Sequence, residues 1–222
     1  MKTHVVKILH THFITHDVKR FVVEKPTGYD FLPGQATDVS LNIPGWETNL
    51  HPFTFTCLRD EDYLEFIIKI YNNPEGVTYQ LGKMNAGAEL ILHDVFGVIK
   101  YKGPGVFIAG GAGITPFISI FRTLYTAKQL KDCKLIYSNK TSSDVILQNE
   151  LEKMLAQNFI KVFTREHVIG FLDRRIDKEF LIQTIHDFSQ HFYICGPDEF
   201  VAQIKKHLSS LGAKPDVLVF EQ

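Results

Sequence analysis

Four short stretches of this chain combine residue types that suit the chemistry of a phosphorylated cofactor. The first is Gly110-Gly111-Ala112-Gly113-Ile114-Thr115-Pro116, which follows the apolar run Val106-Phe107-Ile108-Ala109 and precedes an apolar helical pattern. Glycines let a backbone turn sharply and approach a ligand closely, and a helix start offers unpaired N–H groups to a pyrophosphate. Pro116 stands where the usual dinucleotide fingerprint has a third glycine. The competing reading is a plain tight connection between strand and helix. The second stretch, Cys195-Gly196-Pro197-Asp198, also lies between an apolar strand and a helix. In open parallel sheets, ligands bind beyond the carboxyl ends of the strands, so both loops are expected at one crevice. A small apolar filler is the alternative role for Cys195. The third and fourth stretches are Ser138-Asn139-Lys140 and Thr164-Arg165-Glu166. No carboxylate suited to ribose hydroxyls follows Ser138 and Asn139 until Asp144. A hydroxyl beside a guanidinium at Thr164 and Arg165 suits a ribose 2′-phosphate, unless Lys140 and Arg165 are simply solvated charges.

Other chemistries find less support. Cys57, Cys133 and Cys195 are too few and too widely spaced for a disulfide framework or a four-thiolate iron–sulfur cluster. His10 and His12 alternate on a strand-like run, but no ligand spacing completes a metal site, and none is expected. The balance of 24 basic and 25 acidic residues gives no reason to expect nucleic acid or an anionic membrane surface. The uncharged segment from Gly103 to Phe121 is broken by glycines and prolines, so it reads as strand, turn and helix rather than a membrane span. The opening residues Met1-Lys2-Thr3-His4 lack a leader's apolar core, and with the scarce cysteines they make a cytoplasmic setting the expectation.

The elements that would position these residues fall into two sets. Through residue 101 the apolar residues alternate: Thr37 to Ile43, then Phe53, Phe55 and Cys57, then Leu64, Phe66, Ile68 and Ile70. A period of two marks strands, and the turn signals between them predict an antiparallel β-barrel. Val77, Leu81 and Met84 predict one short helix within it. From residue 102 onward, short apolar strands alternate with helical patterns. The strands begin near Val106, Lys134, Ile160, His191 and Val217. That alternation predicts an α/β domain with a parallel five-stranded sheet covered on both faces. The expected domains are therefore 1–101 and 102–222.

The first half adds His51-Pro52-Phe53-Thr54 on a strand and Gly76-Val77-Thr78 at the short helix. With the glycine loop and Cys195-Gly196-Pro197, these form an ordered set. In that order, along essentially the whole chain, they resemble the ferredoxin–NADP reductase superfamily, specifically its compact bacterial flavodoxin or ferredoxin reductase-like members. The resemblance implies an FAD-binding barrel followed by an NAD(P)-binding domain. It departs from the family's Arg-x-Tyr-Ser flavin motif at every informative position. His51 stands for the arginine that pairs the flavin pyrophosphate, Phe53 for the tyrosine that packs on the isoalloxazine, and Thr54 for the serine that reaches flavin N5. The resemblance further implies that Ile68, Lys69 and Ile70 lie along the flavin, and that Gly76, Val77 and Thr78 hold its phosphates. Gly111, Ala112, Gly113, Ile114, Thr115 and Pro116 would hold the nicotinamide dinucleotide's pyrophosphate. Cys195, with Gly196, Pro197 and Asp198, would stand near the hydride-transfer centre, and Thr164 and Arg165 would lean the enzyme toward NADPH over NADH. Phe220 either covers the flavin or ends a buried strand.

The function so implied is a flavoenzyme: hydride passes from NAD(P)H to FAD, and electrons then go to a separate acceptor such as flavodoxin or ferredoxin. Thr54 and Cys195 are the expected catalytic residues. The alternative is a non-catalytic or electron-transfer flavin-binding subunit of a larger redox complex.

Overall fold

A computed structural model describes residues 3–97, 99–166, 172–173 and 175–220. The chain divides into two compact units, one of Met1–Gly97 with Thr115–Thr123, the other of Val98–Ile114 with Leu124–Gln222. In the first, strands β1 (His4–Phe13), β2 (Val18–Glu24), β3 (Ala36–Leu41), β4 (His51–Thr54) and β5 (Tyr63–Lys69) precede helix α1 (Val77–Lys83) and strand β6 (Glu89–Phe96). They form one antiparallel sheet in the order β4-β3-β6-β1-β2-β5.

The expected barrel does not close by a hydrogen-bonded ladder, and β4 and β5 remain the sheet's two edges. The residues just after β4 bridge them instead. Thr56 N–H donates to the Glu65 carbonyl on β5 at 2.9 Å. Phe55 and Cys57 keep the predicted inward alternation beyond the end of β4, and both are buried. Phe21, Phe31, Phe55 and Phe66 centre the core, with Phe31 and Phe55 stacked at 4.3 Å. Val77 and Leu81 turn one face of α1 into that core, as their spacing predicts. The C-terminal end of α1 is closed by buried Lys19, whose ammonium donates to the Gly82 and Met84 carbonyls at 3.0 and 2.6 Å. A cation there satisfies carbonyls that the helix leaves unpaired.

The remaining elements in chain order are β7 (Gly105–Gly110), α2 (Thr115–Thr126), whose residues Thr115–Thr123 belong to the first unit, and then, in the second unit like β7, β8 (Lys134–Asn139), α3 (Gln148–Leu155), β9 (Phe159–Phe163), β10 (Leu172–Asp173), α4 (Lys178–Thr184), β11 (His191–Cys195), α5 (Asp198–Ser210) and β12 (Leu218–Phe220). All ladders are parallel, in the order β10-β9-β8-β7-β11-β12. The two-residue β10 adds a sixth strand to the five expected. It is too short to show as an apolar run. β7 is buried at every position, as a strand covered on both faces must be. From β7 the chain runs outward through β8 and β9, then returns to the other side of β7 as β11. The reversal puts a topological switch point between β7 and β11.

Helix α2 is buried on more than one face. Every residue from Pro116 to Phe121 is buried, Ser119 among them. The Gly34 N–H donates to the Ser119 hydroxyl at 3.1 Å, which explains a buried polar residue on that side. Among the described residues, no helix is long and apolar enough to cross a membrane.

Candidate functional site

In the second unit the expected residues converge at the carboxyl ends of neighbouring strands. Cys195 pairs with Ala109, and Gly110 pairs with Ser138. Beyond β8 and β9 the ladder continues into the loops, with Thr164 N–H donating to the Asn139 carbonyl at 3.0 Å and Arg165 N–H to the Lys140 carbonyl at 2.9 Å. Cys195, the glycine loop, Ser138, Asn139, Thr164 and Arg165 thus lie along one end of one sheet, at the switch point where such sheets take ligands.

The glycines of that loop do two different jobs. Gly111 has φ +54°, the left-handed region, and a Cβ built there would meet nothing within 4 Å. This is open space beside a turn that only glycine adopts cheaply. Gly113 is needed for packing. A Cβ there would lie 2.4 Å from the Cys195 carbonyl oxygen and 2.6 Å from Gly196 Cα, so the two loops touch backbone to backbone. Beneath them, the fully buried Tyr137 donates its hydroxyl to the Gly111 carbonyl at 2.9 Å. Burial pushes that phenol far up, so it stays a neutral donor. A single turn of 3₁₀ helix over Gly111–Ile114 leads into α2, with Ile114 buried and Pro116 in the first turn, where its missing N–H costs nothing. Ala112 and Thr115 are partly exposed beside it. Across the contact, Pro197 precedes α5 and Asp198 opens it, both exposed. The open cradle at Gly111 and the helix start after it fit a pyrophosphate.

The adenosine-side residues carry a surprise. Asp144 is already engaged, since its carboxylate accepts the Thr141 N–H at 2.8 Å and the Thr141 hydroxyl at 2.6 Å. Glu166 reaches back from the end of β9, and its carboxylate accepts both the N–H and the hydroxyl of Ser142. Lys140, Thr164 and Arg165 are exposed around it.

In the first unit, His51-Pro52-Phe53-Thr54 forms the edge strand β4, where a proline is tolerated. His51 and Pro52 are exposed, and Phe53 and Thr54 partly so. Phe53 also packs against the core, so its ring is held from behind while part of it faces outward. Ile68 is buried in the core. The Lys69 ammonium pairs with Asp17 at 2.7 Å, and the Ile70 N–H donates to the Asp17 carbonyl at 2.7 Å. Gly76 is the residue before α1 and has no side chain to cap it. Val77 anchors the helix inward, and the Thr78 hydroxyl accepts the Tyr71 N–H at 3.4 Å. A donor set of imidazole, aromatic ring, hydroxyl and helix-start N–H groups fits a flavin dinucleotide in kind. His10 and His12 are exposed on β1, where His12 lies opposite the cationic Arg20 on β2, a poor neighbour for a metal ion. Phe220 ends β12 opposite Ile194; its side chain, and residues 221 and 222, lie outside the described parts.

One cluster had no signal in the sequence. Glu65 sits on β5 at a position that strict alternation assigns to solvent, yet its side chain is fully buried. Its carboxylate accepts from Arg122 at 2.6 Å, from the Thr56 hydroxyl at 2.7 Å and from Arg20 Nε at 2.7 Å. Arg122 also donates to the Thr56 carbonyl at 2.8 Å. Burial alone would raise the Glu65 carboxyl, but Arg122, the Thr56 hydroxyl and Arg20 outweigh it and hold it below the usual range. The same burial pushes the Cys57 thiol up to about 11 and raises Cys133 as well, which keeps both protonated.

Comparison with known proteins shows what the chain is similar to. Residues 107–206 match the oxidoreductase NAD-binding domain family. An NADH–cytochrome b5 reductase 1 of Arabidopsis thaliana is 28% identical over 95% of this chain and 81% of its own length. A ferredoxin NADP+ reductase of Neisseria gonorrhoeae, solved with FAD and NADP, superposes with a TM-score of 0.85 at 22% identity, over 100% of this chain and 98% of that one. The chain shares the fold of the ferredoxin–NADP reductase superfamily and is similar in sequence to its members. The proteins it is similar to are NAD(P)H-binding flavoprotein oxidoreductases. A glycine betaine monooxygenase reductase subunit of Chromohalobacter salexigens is also similar, 27% identical over 89% of this chain and 58% of its own length.

Proposed function

We propose that the protein carries electrons from a nicotinamide dinucleotide, through FAD, to a separate redox protein. The observation that carries this reading is the backbone contact between Gly113 and Cys195–Gly196 at the switch point. It sets the open turn at Gly111, which suits a pyrophosphate, beside Cys195 at the mouth of the sheet. Bound FAD would accept two electrons as hydride and release them singly.

The chain's own residues bind and orient. The Gly111–Pro116 turn holds the dinucleotide's pyrophosphate, and Cys195 packs against the nicotinamide to align it. Phe53 supports the flavin ring, the Thr54 hydroxyl hydrogen-bonds at its N5, and His51 with Gly76–Thr78 takes its phosphates. Histidine lacks the bidentate, always-charged fork of arginine and binds phosphate more weakly, so FAD is retained less firmly than an arginine would retain it. The acceptor is a one-electron protein of the flavodoxin, ferredoxin or haem-protein kind. An anaerobic spectrum of FAD-loaded protein, titrated with NADPH and then NADH, tests this reading. Bleaching of the flavin is the expected result. A protein with no flavin absorbance after incubation with FAD would overturn it.

A second reading, a flavin-binding subunit that turns over only inside a larger complex, draws support from the likeness to a monooxygenase reductase subunit. Steady ferricyanide reduction by this chain alone excludes it.

A further inference from the structure

We infer that the first unit carries a second binding site, on the outer face of β1 and β2, for a small organic carboxylate with an apolar body. A cleft of about 620 Å³ opens there, walled by β1, β2 and the start of β5, and that size suits a small molecule. No described residue lining it is among those proposed to hold FAD or the dinucleotide. The strands explain the placement. Phe21 and Val23 point into the core, so Arg20 and Val22 point away from it. In the ladders His12 lies opposite Arg20, His10 opposite Val22, and Val22 opposite Glu65. Strand β1 also bulges there. Ile8 pairs with Val23 and His10 with Val22, which leaves Leu9 as an extra residue. Ile8 stays buried, while Leu9 is 40% exposed and lines the cleft beside His10. Bulges re-aim side chains in this way beside functional sites.

The lining suits an anion. His10 and His12 stand two residues apart on one strand face, and each offers an imidazole N–H. Arg20 gives Nε and one Nη to Glu65, and a guanidinium has further N–H groups to offer a ligand. Glu65 also faces Arg122, so one carboxylate answers two guanidiniums and the charge of Arg20 is not fully cancelled. Burial raises the Tyr63 phenol, which stays a neutral donor. Among the described residues lining the cleft, Asp62 is the one acid, and it works against an anion. A cation would be repelled by Arg20. A carboxylate instead takes a charge-assisted hydrogen bond from Arg20 and another from His12 opposite it. Leu9, Val22 and the Tyr63 ring then form an apolar wall for the rest of the ligand.

Benzoate is the probe, and the backbone amide signals of Leu9, Val22 and Tyr63 in heteronuclear NMR of this chain are the readout. Benzoate should shift them saturably, with half-saturation at about 1 mM, which a ligand of that size can reach. Acetate has the charge without the ring, and its loss of apolar contact should weaken binding roughly tenfold or more. Replacing both imidazoles, as His10→Ala with His12→Ala, should weaken benzoate roughly fivefold or more. Both positions are exposed, so the fold should persist, and unchanged amide signals elsewhere would confirm it. Asp62→Asn removes the opposing charge and should tighten benzoate about two- to threefold. The absence of a saturable shift with benzoate overturns the inference. Equal binding of acetate and benzoate also overturns it, since that marks a bare-anion site without the apolar wall. So does an affinity for benzoate that the histidine substitutions or Asp62→Asn leave unchanged.

Discussion

Glu65→Gln should cost the first unit about 3–5 kcal/mol, more than a change of one atom suggests. The Glu65 side chain is 0% exposed, the Arg122 side chain 18% and that of Arg20 32%. Glutamine keeps the volume, so no cavity opens. It removes the charge that two guanidiniums face, and charge-assisted hydrogen bonds are worth about 1.5–3 kcal/mol each. Arg20 can turn to water and recover part of its loss. Arg122 cannot, because its guanidinium is held by the Thr56 carbonyl in a largely enclosed place. Arg20→Met should therefore cost only about 1 kcal/mol, and Arg122→Met nearly as much as Glu65→Gln. Replacing both members of the enclosed pair, as Glu65→Leu with Arg122→Met, should restore much of the loss, since the only charge left without its partner is that of the more exposed Arg20. Trp46 is the chain's single tryptophan and packs on the core of this unit, so its fluorescence in a urea titration reports the right transition. With m near 2 kcal/mol/M, the midpoint should fall by about 1.5–2.5 M. The pH dependence gives a second readout. The folded carboxyl lies below its ordinary value of 4.5, so its stabilisation is complete above that pH and is lost as pH falls toward the folded value. Glu65→Gln should flatten this acid limb. A loss under about 1 kcal/mol, or an unchanged acid limb, would refute the claim that this buried pair ties α2 to the sheet.

Three further outcomes are expected. Gly113→Ala should abolish dinucleotide binding or destabilise the second unit by several kcal/mol, because its Cβ would fall 2.4 Å from a backbone oxygen; Gly111→Ala, with space but φ +54°, should cost only about 1 kcal/mol, and calorimetry with thermal melts separates the two. Thr54→Ala and Cys195→Ala should each slow anaerobic flavin reduction tenfold or more while FAD stays bound, since general positioning effects run about 10- to 100-fold; equal rates by stopped flow would remove both from the reaction. Arg165→Ala should raise KM for NADPH severalfold and leave NADH unaffected, and equal changes would mean that Arg165 does not contact the 2′-phosphate.

Periodicity made most of the architecture legible. Alternation at Leu64, Phe66 and Ile68 and the 3–4 spacing at Val77 and Leu81 are local consequences of backbone geometry, so they mark strand and helix before any packing is known. The wholly apolar Val106–Ala109 likewise implied a strand covered on both faces, and β7 is one. What local pattern does not encode is which elements meet. Glu65 occupies an outward position by alternation and is buried only because α2, dozens of residues later, brings Arg122 to it. Helix α2 is buried on every side from Pro116 to Phe121 for the same reason. The open ladder between β4 and β5 and the two-residue β10 are likewise long-range outcomes.

The sequence by itself determined the glycine turn, the cysteine loop and the hydroxyl–guanidinium pair, because each depends on residue type and immediate neighbours. Only the tertiary structure decided their purposes. It separated Gly111, which frees a turn, from Gly113, which admits another loop's backbone. It spent Asp144 on Thr141, and it carried Glu166 across from β9 to the end of β8. Hydrogen bonds between parallel strands set that last placement, and they join residues whose proximity no spacing along the chain records.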